Sequence, residues 1–229
     1  MDSGQAKSEG TYHHGDLPAT LMDLALAHIA LEGTEKLSLR ALAREAGVSA
    51  TAPYRHFPTK RCLLAALATR GFRALRDANE AVTVAPGDLE GAFIRMGMAY
   101  VRFATENPTA YQIMFGTVIE DFTEYPDLAE AADQSFTPVR LLIERALKKR
   151  PGWDMTPELL AATIWTTVHG MASLLIFGAS RLDVDKALMR RPNQALAALM
   201  TDQEKVLRTL IRGVLAEGGT SAQISSKSP

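Results

Sequence analysis

Residues 38–57 read SLRALAREAGVSATAPYRHF, and this stretch decides the fold. Ser38 is a cap residue, and Leu39, Leu42, Ala43 and Ala46 follow at helical spacing as an inner face. Arg40 and Arg44 lie one turn apart on the outer face. Gly47 is the natural stop, because glycine adopts positive φ without steric cost. Val48 is a spacer facing the core. Ser49 then caps a third helix, which Phe57-Pro58 keeps short. Two short helices joined by a tight glycine turn make a helix-turn-helix unit, whose second helix suits a DNA major groove.

Working outward, the pattern is helical almost throughout, and no stretch alternates long enough to predict a sheet. Upstream, Asp16 caps a first helix with an apolar stripe of Leu17, Leu21, Leu24, His28 and Leu31, ended by Gly33; His28 reads as a core histidine. Downstream, Thr59 caps a longer helix running toward Val82, and Ala85-Pro86-Gly87 closes the region. Further helices are predicted over 88–107, just after Pro108, and over 126–150, where Pro138 predicts a kink or break. Lys148, Lys149 and Arg150 suit the negative end of the last of these, before Pro151-Gly152. Thr156-Pro157-Glu158 opens another helix, and Thr201 with Glu204 forms a capping-box pattern for the final one, which ends near Gly218-Gly219.

Charge is uneven. Within 38–76 eight Arg and Lys stand against Glu45 alone, a net +7; the whole chain is −1, so the remainder carries −8. A basic block on an acidic body fits a polyanion partner or a solvated helical face. The residue types favour the first. Ser49, Ala50, Thr51 and Ala52 are small enough to let a helix lie close to base edges, and Thr51 offers a hydroxyl and a methyl. Arg40 suits a guanine edge or a phosphate, and Tyr54, Arg55 and His56 suit phosphate oxygens. Lys60 and Arg61 at a helix N-terminus oppose its dipole at roughly 0.3–1 kcal/mol each, a cost that an anion outside that helix end would reverse.

The run AREAGVS at 43–49, followed by Tyr54, Arg55, His56, Phe57 and Lys60 and continued by Leu63 and Leu64, resembles the DNA-binding domain of the TetR family. The lead-in Tyr12-His13-His14-Gly15-Asp16-Leu17 resembles the entry of one branch of that family, and Trp165, His169 and Gly170 resemble the tryptophan-histidine-glycine signature of the same branch. The resemblance implies a homodimer, repression of an operator in double-stranded DNA, and release by a small molecule. It also implies that Tyr54, His56 and Lys60 touch phosphates while Ser38, Arg40, Ala50 and Thr51 face the operator. Ala52-Pro53 and Arg61 depart from the usual pattern, so the operator sequence does not transfer.

In the second half, residues 159–180 carry no charge with His169 neutral and are long enough to span a membrane, but Thr163, Thr166, Thr167, His169 and Ser173 argue against that. Ala162, Thr166, Gly170 and Ser173 instead form a small-residue stripe suited to a buried or subunit-interface helix. Trp165 and His169 share a face and suit core and dimer packing or a pocket wall. Candidate pocket residues are Phe93, Met96, Tyr100, Phe103, Tyr111, Met114, Phe115, Trp165 and His169, with plain core as the other reading of each. Phe136, Met171 and Phe177 belong to the same aromatic and methionine population. Such a pocket favours a hydrophobic or aromatic effector, with Tyr100, Tyr111, Thr167 and His169 as polar handles.

No Gly-rich phosphate loop, Gly-x-Ser-x-Gly, His-Glu-x-x-His or Cys-x-x-Cys is present, and Cys62 has no partnering His-Asn set nearby. No catalytic residue, metal site or cofactor is expected; His169 lacks companions at ligand spacing. The expectation is thus an all-α protein: a flexible arm over 1–14, a three-helix DNA-binding domain over 15–60, a larger helical ligand-binding and dimerisation domain over 61–217, and a disordered tail over 218–229. Dimerisation is assigned to 156–178 and 201–217. The polar N-terminus and single cysteine fit a cytoplasmic protein without a membrane partner. A helical adaptor for other proteins is the alternative, and an enzyme a remote one.

Overall fold

The computed structural model describes residues 16–181 and 190–216; the arm, the lead-in at 12–15 and the tail over 218–229 lie outside the described residues. Those residues form helices α1 (Leu17–Glu32), α2 (Leu39–Glu45), α3 (Lys60–Glu80), α4 (Leu89–Glu106), α5 (Pro108–Phe115), α6 (Pro126–Lys148), α7 (Pro157–Arg181), α8 (Arg190–Thr201) and α9 (Gln203–Ala216). Two 3-10 turns, Pro53–Arg55 and Phe122–Glu124, complete the order. The fold is all-α, as the periodicity predicts. Contacts divide the chain into two compact units, Met1–Ala66 and Leu67–Pro229, with the boundary inside α3.

In the first unit α1, α2 and the turn at Pro53–Arg55 pack on one another. Asp16 caps α1 by accepting from Ala19 N–H at 3.1 Å, and Gly33 ends it at φ +82°. The buried face of α1 is Leu21, Ala25 and Ile29; of the predicted stripe Leu21 is buried and Leu17, Leu24 and His28 are half-buried. Leu31 is 86% exposed. The helix is apolar on several sides, so periodicity alone does not choose its inner face. His28 is only partly buried, with Nδ1 unpartnered and Nε2 4.0 Å from Glu32.

The second unit is built around α4, which packs against α7, α9, α6 and α5. Gly97 permits that density: a Cβ there would stand 2.7 Å from Leu207 Cδ2 on α9 and 3.2 Å from Val168 on α7. Helix α6 runs unbroken through the buried Pro138, contrary to a break there; a proline at such a site costs on the order of 3 kcal/mol, which its burial in the unit helps to offset. Thr156 caps α7 as predicted, accepting from Leu159 N–H at 3.2 Å.

Three local readings need correction. Helix α8 has no counterpart in the order that the sequence predicts. Thr201 belongs to the end of α8, where its hydroxyl donates to Ala197 C=O, and Asp202 caps α9 by accepting from Lys205 N–H. Arg150 serves not its own helix end but that of α9, donating to Leu215 C=O while its guanidinium lies 5.1 Å over the Trp153 ring. Pro157–Gly178 is long and apolar enough to cross a membrane, yet Leu160, Ile164, Val168, Met171, Ala172 and Leu175 are buried against the other helices of the unit.

Candidate nucleic-acid interface and ligand cavity

The turn between α2 and the next segment is closed by two bonds. Val48 N–H donates to Ala43 C=O at 2.9 Å and Gly47 N–H to Arg44 C=O at 3.2 Å, with Gly47 at φ +68°. This double bond pattern ends a helix with a left-handed glycine. Leu39, Leu42, Ala43 and Ala46 are buried as predicted, which leaves Arg40 and Arg44 outside. Ser38 occupies the cap position with an extended backbone, but its side chain makes no capping bond.

The segment after Ser49 is not the regular α-helix that the sequence suggests. Ala52 N–H donates to Ser49 C=O, Arg55 N–H to Ala52 C=O and His56 N–H to Pro53 C=O, all one residue tighter than an α-helix. Pro53 is the physical reason: it has no N–H to offer the Ser49 carbonyl, and its buried ring fixes the chain there. Ser49 Oγ and Thr51 Oγ1 lie 3.3 Å apart and hold the first turn.

Ser38, Arg40, Ser49, Ala50, Thr51, Tyr54, Arg55 and His56 are all exposed. Pro53 and Phe57, between and after them, are buried and anchor the segment. Thr59 caps α3 by accepting from Cys62 N–H at 3.2 Å. Lys60 is half-buried and donates to the Glu35 carbonyl at 3.1 Å, which holds its ammonium on the surface of the unit with further donors spare. Arg61 beside it is exposed.

The second unit contains a cavity of about 320 Å³. Phe93, Met96, Tyr100, Phe115 and Trp165 line it; Phe103, Tyr111, Met114 and His169 do not. The remaining walls come from α3 (Phe72, Leu75, Asn79) and α6 (Ala132, Ser135, Phe136, Val139), and of these only Phe136 belongs to the aromatic and methionine population marked in the sequence. The hint was Phe136, an aromatic residue in α6 that remains partly exposed. No lining side chain carries a formal charge.

Behind this wall Tyr100, Tyr111 and His169 satisfy one another. The Tyr111 hydroxyl is 2.7 Å from His169 Nδ1, the Tyr100 hydroxyl 3.0 Å from the same nitrogen, and the two hydroxyls are 3.2 Å apart. Burial pushes the imidazole below its usual range, so it is neutral at pH 7, and its Nδ1 shares hydrogen bonds with both phenol hydroxyls. Burial raises both phenols, which therefore remain protonated. Asn79 differs. It is 3% exposed, and its Oδ1 has no hydrogen-bond partner.

Residues 21–67 match the family model described as bacterial regulatory proteins of the tetR family, and residues 93–191 match the tetracyclin repressor-like C-terminal domain. Nucleoid occlusion factor SlmA of Vibrio vulnificus is 28% identical over 153 residues, which is 64% of this chain and 77% of that protein. A protein of unknown function from Rhodococcus sp. RHA1 superposes with a TM-score of 0.66 at 29% identity, covering 90% of this chain and 98% of that one. The TetR-family regulator PfmR of Thermus thermophilus shares the fold, with a TM-score of 0.58, 20% identity and coverage of 86% and 97%. A helix-turn-helix unit joined to a helical body with a partly open cavity is the build of a DNA-binding transcriptional regulator. The chain belongs to the TetR family.

Proposed function

We propose that this regulator is a cytoplasmic, homodimeric repressor that holds its operator through Ser38, Arg40, Ser49, Ala50, Thr51, Tyr54, Arg55, His56 and Lys60, and that a small apolar effector in the cavity releases it. One observation carries the reading: α3 begins at Lys60 in the first unit, and its residues Phe72, Leu75 and Asn79 wall the cavity in the second. A ligand that fills the cavity thus acts on the helix that bears a DNA-facing residue at its other end. It favours the dimer geometry in which the DNA-binding units of the two subunits no longer match half-sites about one helical turn apart.

The dimer is supported by the outer face of α7, where Thr166, Gly170, Leu174 and Phe177 are exposed at one-turn intervals. A Cβ on Gly170 would meet nothing within 4 Å, so the face is flat and open to a second helix. Leu210 extends exposed apolar surface onto α9. The segments are those assigned to dimerisation, 156–178 and 201–217.

The test is titration of the purified chain against DNA from the promoter region of its own gene at two salt concentrations. Six to ten phosphate contacts imply a loss of about 10³–10⁵ in affinity from 50 to 200 mM salt. Tyr54→Phe combined with Lys60→Ala is expected to weaken binding and flatten the salt slope. Salt-insensitive binding, or none at low salt, would return the chain to the adaptor reading. A tightly bound cavity ligand that leaves operator affinity unchanged would remove the release mechanism alone.

A further inference from the structure

The cavity wall holds a feature that apolar packing does not require. Among the described residues only two buried side-chain polar atoms lack a hydrogen-bond partner, His28 Nδ1 and Asn79 Oδ1, and only Asn79 lines the cavity. A buried acceptor left unpaired forfeits its hydration with nothing in return, so a protein gains stability by replacing it with an apolar side chain unless something pairs with it. The hydroxyl groups of the wall are engaged. Ser135 Oγ donates to Ala132 C=O at 2.7 Å, and the Tyr100 hydroxyl is held by Tyr111 and His169.

Resting on the effector reading above, we infer that the effector is a neutral, largely apolar molecule bearing one hydroxyl or N–H group, which donates to Asn79 Oδ1. Size follows from the cavity: about 320 Å³ lies at the small end of ligand pockets, which suits a compact ligand of two rings. Neutrality follows from the wall, because no lining side chain offers a counter-charge to an ion stripped of water there. Phe72, Phe93, Phe115 and Trp165 favour an aromatic or flat alicyclic body.

The experiment compares 4-phenylphenol, 4-methoxybiphenyl, biphenyl and 4-phenylbenzoate, with dissociation constants read from tryptophan fluorescence of the full chain and of Asn79→Leu. In the native chain 4-phenylphenol is expected to bind at least about tenfold more tightly than biphenyl, the lower part of what one satisfied buried acceptor is worth. In Asn79→Leu that preference disappears while biphenyl affinity is kept, and the retained biphenyl binding reports a folded cavity. Asn79→Ala repeats the loss with a smaller side chain.

A preference that survives both substitutions overturns the inference. So does 4-methoxybiphenyl matching 4-phenylphenol, since the ether only accepts, and so does 4-phenylbenzoate binding most tightly. If no neutral probe binds the native chain saturably, the cavity is not an effector site and the underlying reading falls too. Biphenyl binding without a hydroxyl preference removes only the Asn79 assignment.

Discussion

Gly71 and Met114 offer a perturbation whose sign depends on its neighbour. Gly71 lies within α3, and a Cβ built on it stands 2.4 Å from Met114 Sδ and 3.0 Å from Met114 Cγ. Ordinary carbon contacts begin near 3.5 Å, so the thioether would have to retreat by roughly 1 Å. Met114 is 1% exposed, so the thioether cannot retreat into solvent and must repack within the core. Overpacking of this kind costs about 1–3 kcal/mol, against a gain of about 0.8–1.0 kcal/mol from alanine in a helix interior. Gly71→Ala is therefore expected to destabilise by about 1 kcal/mol.

The cycle with Met114→Ala makes the reasoning refutable. Met114→Ala alone should cost about 2–5 kcal/mol as a core truncation. With the thioether gone, the new methyl enters vacated space, the overpacking vanishes and the helix gain remains. Gly71→Ala should then stabilise the Met114→Ala background by about 1 kcal/mol, a coupling of about 2 kcal/mol between the two sites. Urea unfolding of all four proteins at one protomer concentration measures it, with equal m-values required. Additivity within about 0.5 kcal/mol would show that the two residues do not compete for the same space.

Three further expectations are independent of that pair. Gly47 stands at φ +68°, and a methyl placed on it would meet nothing within 4 Å, so Gly47→Ala should lose about 1–2 kcal/mol from backbone strain alone, and Gly47→Asn distinctly less; equal thermal stability of Ala and Gly would contradict the turn geometry. His169 has a folded-state pKa below its unfolded value near 6.5, so its contribution is complete above that pH and is lost as pH falls through the lowered value; the native chain should lose more stability than His169→Gln between about pH 7 and 5, and parallel profiles would refute this. Leu174 is 60% exposed on α7, so Leu174→Asp should leave the helical content of the subunit unchanged while shifting sedimentation velocity from dimer toward monomer; an unchanged dimer would place the interface elsewhere.

Much of the first unit is legible because its determinants are local. A glycine that must take positive φ after an amphipathic turn fixes where α2 ends, and Thr59 and Asp16 cap their helices through groups only three residues away, as Thr156 does in the second unit. The exposure of Arg40 and Arg44 follows from the burial of Leu39, Leu42 and Ala43 on a helix of known period. Locality also explains two misreadings: Pro53 withholds the one N–H that an α-helix from Ser49 needs, and Asp202, one residue past Thr201, is the better-placed cap for α9.

The sequence by itself determined the class of fold, the helix-turn-helix unit and the exposed polar residues that face outward from it, because helix period, capping and glycine conformation act within a few residues. Tertiary structure decided which apolar surfaces meet. Gly71 takes up Met114, Gly97 admits Leu207, and Tyr111 and His169 are spent on each other, although the sequence marked Met114, Tyr111 and His169 alike as cavity candidates. A cavity is the space that close packing fails to fill, and its walls are set by the summed volumes of helices distant in the chain. For that reason Asn79 and the walls supplied by α3 and α6 are visible only once those helices are packed together.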